Sequence, residues 1–264
     1  MLCHLIPIQI QKNMETLKTR LKEFKLSGIL STLDERLKYA NEKSLSYTQL
    51  IDLLLEDEAN NRAENSLKNR LQKAKFSSDK TIEDFDFTAQ PSIDKRKIND
   101  ILTCQFIEQK QNIVFIGDPG TGKTHLSIAI GKNAVIKGYK VLFSSVTDLL
   151  SKLHSSKADN SYYRKLQEYL NFDLLILDEL GFKALPNYSA SDFYEIISRF
   201  YEKRSIIITT NKSFEHWKDI FADKTMSEAI TDRILHHSTI FKITGKSYRT
   251  RNLKHKEIEN YDQN

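Results

Sequence analysis

The stretch Ile113-Val114-Phe115-Ile116-Gly117-Asp118-Pro119-Gly120-Thr121-Gly122-Lys123-Thr124 decides the reading of this chain. Four apolar residues form a short buried strand. The next eight, Gly117 to Thr124, fit the pattern G-x-x-x-x-G-K-[ST], and a helix-length segment from Thr124 to Lys137 follows. Strand, loop and helix in that order are the context a phosphate-binding loop requires. The glycines let backbone N–H groups curl around phosphate oxygens, and the helix N-terminus adds its partial positive charge. Lys123 can reach the β- and γ-phosphates, and the Thr124 hydroxyl can ligate Mg²⁺. The implied ligand is a nucleoside triphosphate, ATP with Mg²⁺, held by Gly117, Asp118, Pro119, Gly120, Thr121, Gly122, Lys123 and Thr124.

Such a loop calls for a second strand that ends in an acid. Leu174-Leu175-Ile176-Leu177-Asp178-Glu179 supplies one. Asp178 is placed at the strand's C-terminal edge, where it can hold Mg²⁺ directly or through water. Glu179 can orient and polarise water for attack on the γ-phosphate. A third strand, Ile206-Ile207-Ile208, ends in Thr209-Thr210-Asn211. Either Thr210 or Asn211 could hydrogen-bond the attacking water or the γ-phosphate, and the residues alone leave that choice open.

Outward from these strands the pattern alternates. Val141–Phe143 and Ile240–Ile243 are further apolar runs, with helix-length stretches between all of them. Short continuous apolar strands separated by helices imply a parallel sheet covered on both faces. The expected core is therefore an α/β P-loop NTPase of five parallel strands over residues 96–264. Residues 14–80 hold no proline and one glycine, Gly28, and read as a small all-α domain. Leu17, Leu21 and Phe24, then Leu30, Leu33 and Leu37, recur at helical spacing. Ser46 and Gln49 make a capping box. After it Ile51, Leu55, Ala59, Ala63, Leu67 and Leu71 step by four and predict the apolar stripe of a long helix, with Arg62, Lys68, Asn69, Lys73 and several acids opposite. Residues 81–95 read as a linker that packs its aromatic residues on the next unit. Met14 reads as a natural start, and residues 1–13 as an extension or a misplaced start site.

Composition narrows the class. Of 264 residues, 39% are apolar and 28% charged, enough for a sizeable core and unlike a disordered chain. No apolar run approaches the ~18 residues of a membrane span. The N-terminus lacks the basic leader and cleavage site of an export signal, so the expected location is the cytoplasm. Cys3 and Cys104 match no metal or redox spacing. The formal charge is +5, and from Arg233 to Lys256 seven basic residues occur with no acid. That one-sided run points to an anionic partner, phosphate or nucleic acid.

These segments together resemble AAA+ ATPases. Within them the chain is similar to the IstB/DnaC branch of transposition helper ATPases and bacterial helicase loaders. Gly117–Thr124, Asp178-Glu179-Leu180-Gly181-Phe182, Thr209-Thr210-Asn211 with Phe214 and Trp217, Asp232–His237 and Gly245-Lys246-Ser247-Tyr248-Arg249 carry the resemblance. Leu50–Glu58 and Ala74-Lys75-Phe76 extend it into the helical segment. The resemblance implies that Asn211 is the sensor-1 residue. It implies that Arg233 is an arginine finger reaching a neighbouring subunit's γ-phosphate, and Arg249 a sensor-2 arginine within its own subunit. The chain ends soon after Arg249, which leaves no room for a separate lid. Helices between the second and third strands would face DNA, with Lys152, Lys157, Arg164 and Lys165 as phosphate contacts and Tyr162 and Tyr163 nearby. The helical domain could add Lys18, Arg20, Lys22 and Lys25.

The implied function is an ATP-dependent helper of a transposase that oligomerises on double-stranded DNA, with ATP sites at subunit interfaces. Leu50–Glu58 and Ala74–Phe76 favour this over a replicative helicase loader. A P-loop small-molecule kinase and a module using ATP only as an assembly switch are the rivals from other classes. Glu179 directly after Asp178 argues for water as the acceptor.

Overall fold

A computed structural model describes residues 5–182, 185–186, 188–221 and 223–248. The chain divides into two compact units, Met1–Asn69 and Arg70–Asn264. The division falls inside the helix Tyr47–Ala74.

The first unit is helical. Helix α1 spans Leu5–Glu23, α2 spans Ser27–Lys43, and Tyr47–Ala74 forms the 28-residue α3. The helical backbone of α1 thus begins ahead of Met14. The capping box forms: the Ser46 N–H donates to Gln49 Oε1 (2.8 Å), and the Gln49 N–H donates to Ser46 Oγ (3.3 Å). The apolar stripe on α3 is corrected. Ile51 and Leu55 are each 56% exposed, whereas Glu58 is buried. The face that packs inward carries acids because they have work to do there. Glu58 Oε2 accepts the N–H groups of Gly28 (2.7 Å) and Ile29 (3.3 Å), orphan donors in the first turn of α2. Arg62 Nε donates to the same carboxylate at 2.7 Å. Arg36 grips Asp57 through two bonds of 2.8 and 2.7 Å and holds its carboxyl down at about 2. That contribution is full above the ordinary carboxylate range and fades as pH falls through it towards 2. A Cβ at Gly28 would lie 2.7 Å from the Asp57 carbonyl oxygen, so this approach needs glycine.

Glu58→Ala leaves two buried N–H groups unmet, at a cost of about 2–4 kcal/mol. Urea unfolding of the full chain should show the helical unit melting early. An unchanged midpoint would rule out the cross-helix cap.

The second unit is built on a parallel sheet of β1 (Asn112–Gly117), β2 (Val141–Ser145), β3 (Leu174–Leu180), β4 (Ser205–Thr210) and β5 (Ser238–Ile243), in the order β2-β3-β4-β1-β5. It contains each of the five expected runs. Helices α4 (Lys95–Leu102) and α5 (Gln105–Glu108) lead into β1, and α6 (Lys123–Ile136) follows the phosphate loop. Helices α7 (Val146–Ser155), α8 (Tyr162–Leu170), α9 (Ser189–Phe200) and α10 (Lys224–His236) follow, with a 3₁₀ turn at Phe214–Asp219 before α10. Alternation along each strand supplies both faces. Val114, Leu175, Leu177, Ile206 and Ile208 pack with Leu149, Leu153, Phe193, Phe200 and Ile234 of the helices. Helix α6 packs on β1 to β4, and a Cβ at its Gly131 would lie 2.6 Å from Ile176 Cδ1.

The end of α3 belongs to this unit for physical reasons. Arg70 Nε donates to the Val135 carbonyl (3.3 Å), Ala74 is fully buried, and the Phe76 and Phe143 rings lie 6.4 Å apart. Among the described residues, no helix is long and apolar enough to cross a membrane.

Candidate functional site

The strand order puts the site together. β4 lies between β3 and β1, so three strand ends meet at one edge of the sheet. They carry Asp178-Glu179, Thr209-Thr210-Asn211 and the phosphate loop.

The loop takes its shape from two glycines. Gly120 (φ +81°) and Gly122 (φ +96°) lie in the left-handed region that residues with a Cβ rarely adopt. Gly122 also has no space for one, since a Cβ would lie 2.6 Å from Phe85 Cε2. Thr121 Oγ1 donates to the Asp118 carbonyl (2.8 Å) and closes the turn. Lys123 opens α6, and its Nζ donates to the carbonyls of Gly117 (2.7 Å) and Asp118 (2.8 Å). The ammonium is therefore held on the loop beside the N-terminus of α6.

Thr124 Oγ1 donates to both oxygens of Asp178, at 2.9 and 3.1 Å. A hydroxyl and a carboxylate converging in this way are the hard oxygen donors that Mg²⁺ takes, so the residues fit that ion. Asp178 is buried, and Thr209 Oγ1 donates to its Oδ1 at 2.5 Å. The same Thr209 oxygen accepts the Glu179 N–H (3.0 Å). A bulge between Leu177 and Leu180 breaks the β3–β4 register here. Bulges re-aim side chains next to sites. Glu179 sits in the bulge with φ +63° and an exposed side chain.

Thr210 and Asn211 differ in their bonds. Thr210 Oγ1 donates to the Leu180 carbonyl (2.8 Å) and accepts the Lys212 N–H (3.0 Å). Asn211 Oδ1 is buried and has no hydrogen-bond partner among the described residues. A buried acceptor left unmet calls for an explanation, and a reaction-site contact is one.

Asp84, Phe85 and Asp86, in the segment read from sequence as a linker, help to wall a cleft beside the loop. Phe85, Asp84, Ser77 and Lys80 line a volume of about 340 Å³ together with the loop, His125 and Tyr248. The His125 and Phe85 rings meet edge to face at 5.2 Å, and His125 Nε2 lies 2.7 Å from the Thr81 carbonyl oxygen. The aromatic residues of this segment were legible as packing groups, but nothing in their spacing showed that they pack on the loop. The segment after β5 also touches it: the Tyr248 N–H donates to the Gly120 carbonyl (2.9 Å).

Arg233 is on α10 and does not occur among the described residues lining the cleft. Its guanidinium donates to the Ala229 carbonyl (3.0 Å) and lies over the Tyr194 ring, 4.9 Å from the centroid. Arg249 lies outside the described residues. The four expected DNA contacts divide into two pairs. Lys157 Nζ is 2.7 Å from the buried Asp192, and Lys165 Nζ is 2.5 Å from Glu168. Lys152 and Arg164 are exposed.

Residues 19–256 match the family of IstB-like ATP binding proteins. The chain is 41% identical over 225 residues to the insertion sequence IS5376 ATP-binding protein of Geobacillus stearothermophilus, covering 85% of this chain and 90% of that one. It is 39% identical over 236 residues to the insertion sequence IS21 ATP-binding protein of Pseudomonas aeruginosa, covering 89% of each. Among solved structures it resembles the DnaC helicase loader (TM-score 0.50, 25% identity, 56% of this chain and 87% of that one). The fold is also that of AMPPCP-bound DnaA from Aquifex aeolicus (TM-score 0.53, 24% identity, 70% of this chain and 56% of that one). With its loop, its strand-end acid and its AAA+ core, the chain is an ATPase that belongs to the IstB-like ATP binding protein family.

Proposed function

We propose that this ATPase is a transposition helper: it assembles on double-stranded DNA, recruits a transposase and is released by ATP hydrolysis. Thr124 and Thr209 both donate to Asp178 and the Glu179 N–H donates to Thr209, and this junction carries the hydrolytic part of the reading. Thr124 and Asp178 would hold Mg²⁺, which when bound neutralises charge developing on the phosphoryl oxygens. Lys123 would exchange the two loop carbonyls for β- and γ-phosphate oxygens. Thr209 fixes Asp178 and the Glu179 backbone together, so Glu179 can orient water at the γ-phosphate. Asn211, with its unmet oxygen, would accept a hydrogen bond from that water. The adenosine end would lie in the cleft beside Phe85 and His125.

The client is argued from the relatives. Insertion-sequence proteins align over 85% and 89% of this chain, and the DnaC loader over 56%. Those insertion-sequence proteins are 41% and 39% identical to this chain and the DnaC loader 25%, which favours a transposase over a replicative helicase. Arg233, seated on α10 and not lining its own chain's cleft, would complete the site of a neighbouring copy. Lys152 and Arg164 would contact DNA phosphates without reading sequence. Lys157, tied to Asp192, would position α7 and α8 instead.

The test is ATP turnover measured against protein concentration, with and without duplex DNA. The expected rate per chain rises with concentration and with DNA, and Arg233→Ala lowers it by about 10³. A rate independent of concentration and untouched by Arg233→Ala would rule out the shared site. Duplex DNA that neither speeds turnover nor shifts the protein to a larger species would rule out assembly on DNA.

A further inference from the structure

Among the described residues, one group has metal-ligand chemistry that nucleotide binding does not use. Glu202, His236 and His237 each offer one ligand atom, and the three atoms lie within 4.8 Å of one another. Two ligands of a tetrahedral zinc ion, each about 2.0–2.1 Å from it, sit about 3.3 Å apart. His237 Nε2 and Glu202 Oε1 are 3.4 Å apart. That pair therefore already has the required spacing, and the His236 ligand atom lies within 4.8 Å of both.

The backbone under these side chains is fixed. His236 ends α10, and the His237 carbonyl accepts the Asn112 N–H (2.7 Å) where the chain enters β5. Glu202 stands in the turn after α9 with φ +57°, a left-handed conformation that costs energy for a residue with a Cβ. His236 Nδ1 lies 2.7 Å from the Tyr201 hydroxyl. A metal-binding imidazole characteristically has its second nitrogen engaged by a polar partner of this kind. The carbonyl end of α10 adds partial negative charge. The Tyr201 hydroxyl also shares a hydrogen bond with the Glu202 side chain. Two imidazoles and one carboxylate select a transition ion of the zinc class over Mg²⁺.

We propose that Glu202, His236 and His237 bind one zinc-class divalent ion, with solvent in the fourth position. The ion would fasten the turn after α9 to the last turn of α10, the helix that carries Arg233. All three ligands are exposed, so it reaches them directly from solvent.

The test uses the tag-free full chain without nucleotide, titrated with Zn²⁺ by calorimetry and with Co²⁺ by visible absorption. One ion per chain is expected, with a tetrahedral Co²⁺ spectrum. His236→Ala, His237→Ala and Glu202→Gln should each weaken binding by more than about tenfold. Asp178→Asn and Cys3→Ser should leave it unchanged, which separates this site from the Mg²⁺ site and from the N-terminal thiol. Circular dichroism of the variants reports folding. If an alanine variant loses structure, Glu202→Gln keeps the side chain's shape and still decides. No saturable binding, or binding that survives Glu202→Gln and His237→Ala, overturns the site. So does binding lost in Asp178→Asn or Cys3→Ser.

Discussion

Lys123→Ala will abolish ATP binding at ordinary concentrations. The lysine ammonium is held at the loop by the Gly117 and Asp118 carbonyls, 2.7 and 2.8 Å away, beside the N-terminus of α6. Both carbonyls lie in the loop that must close on phosphate, so the ammonium needs only a short movement to meet the β- and γ-oxygens. Its loss leaves concentrated negative charge facing backbone dipoles alone. Removing one partner of a close, poorly solvated charge pair costs about 3 kcal/mol, a hundredfold or more in Kd. Titration with a fluorescent ATP analogue reads this directly. Tight binding retained by the variant would show that the phosphates do not sit on this loop.

Glu179→Gln will separate binding from turnover. The amide keeps the shape of the side chain, and the Glu179 N–H stays on Thr209. Asp178 and Thr124 are untouched, so ATP affinity should stay within a few-fold. What is lost is the carboxylate that draws a proton from water, and such groups contribute about 10²–10⁴ in rate. ATP turnover should fall by that factor, and the assembled form should persist on DNA because its release waits on hydrolysis. Size-exclusion of the variant with ATP and duplex DNA reads the second effect. Turnover at the ordinary rate would remove Glu179 from the reaction.

Sequence revealed what depends on neighbours along the chain. Gly117–Thr124 needs only its own spacing, and the five strands announce themselves as apolar runs between helices. Asp178 and Glu179 follow one of those runs directly. What sequence did not show depends on neighbours across the fold. Thr209 matters because β4 lies against β3, which brings its hydroxyl to Asp178. Nothing in Ile206–Asn211 distinguishes that threonine from Thr210. Phe85 lies against Gly122 from a segment that reads as a connector. On α3 the step of four found a stripe, yet the packed face carries Glu58 and Asp57, because the adjoining helix needs an acceptor for its first N–H groups. Charge alone likewise did not separate Lys157 from Lys152, since only the fold supplies Asp192.

The strand order also sets a timetable for synthesis. β1, the strand that launches the phosphate loop, pairs on one side with β4 and on the other with β5, the last two of the described strands in chain order. β2 and β3 can zip together early, but β1 must wait for both of its partners. Pairings so distant along the chain form slowly, because long loops must close first. The Tyr248 N–H that meets Gly120 emerges later still. A nascent chain therefore carries a complete phosphate-loop motif long before it carries a nucleotide site, and the ability to hold ATP waits for β4, β5 and the segment that brings Tyr248.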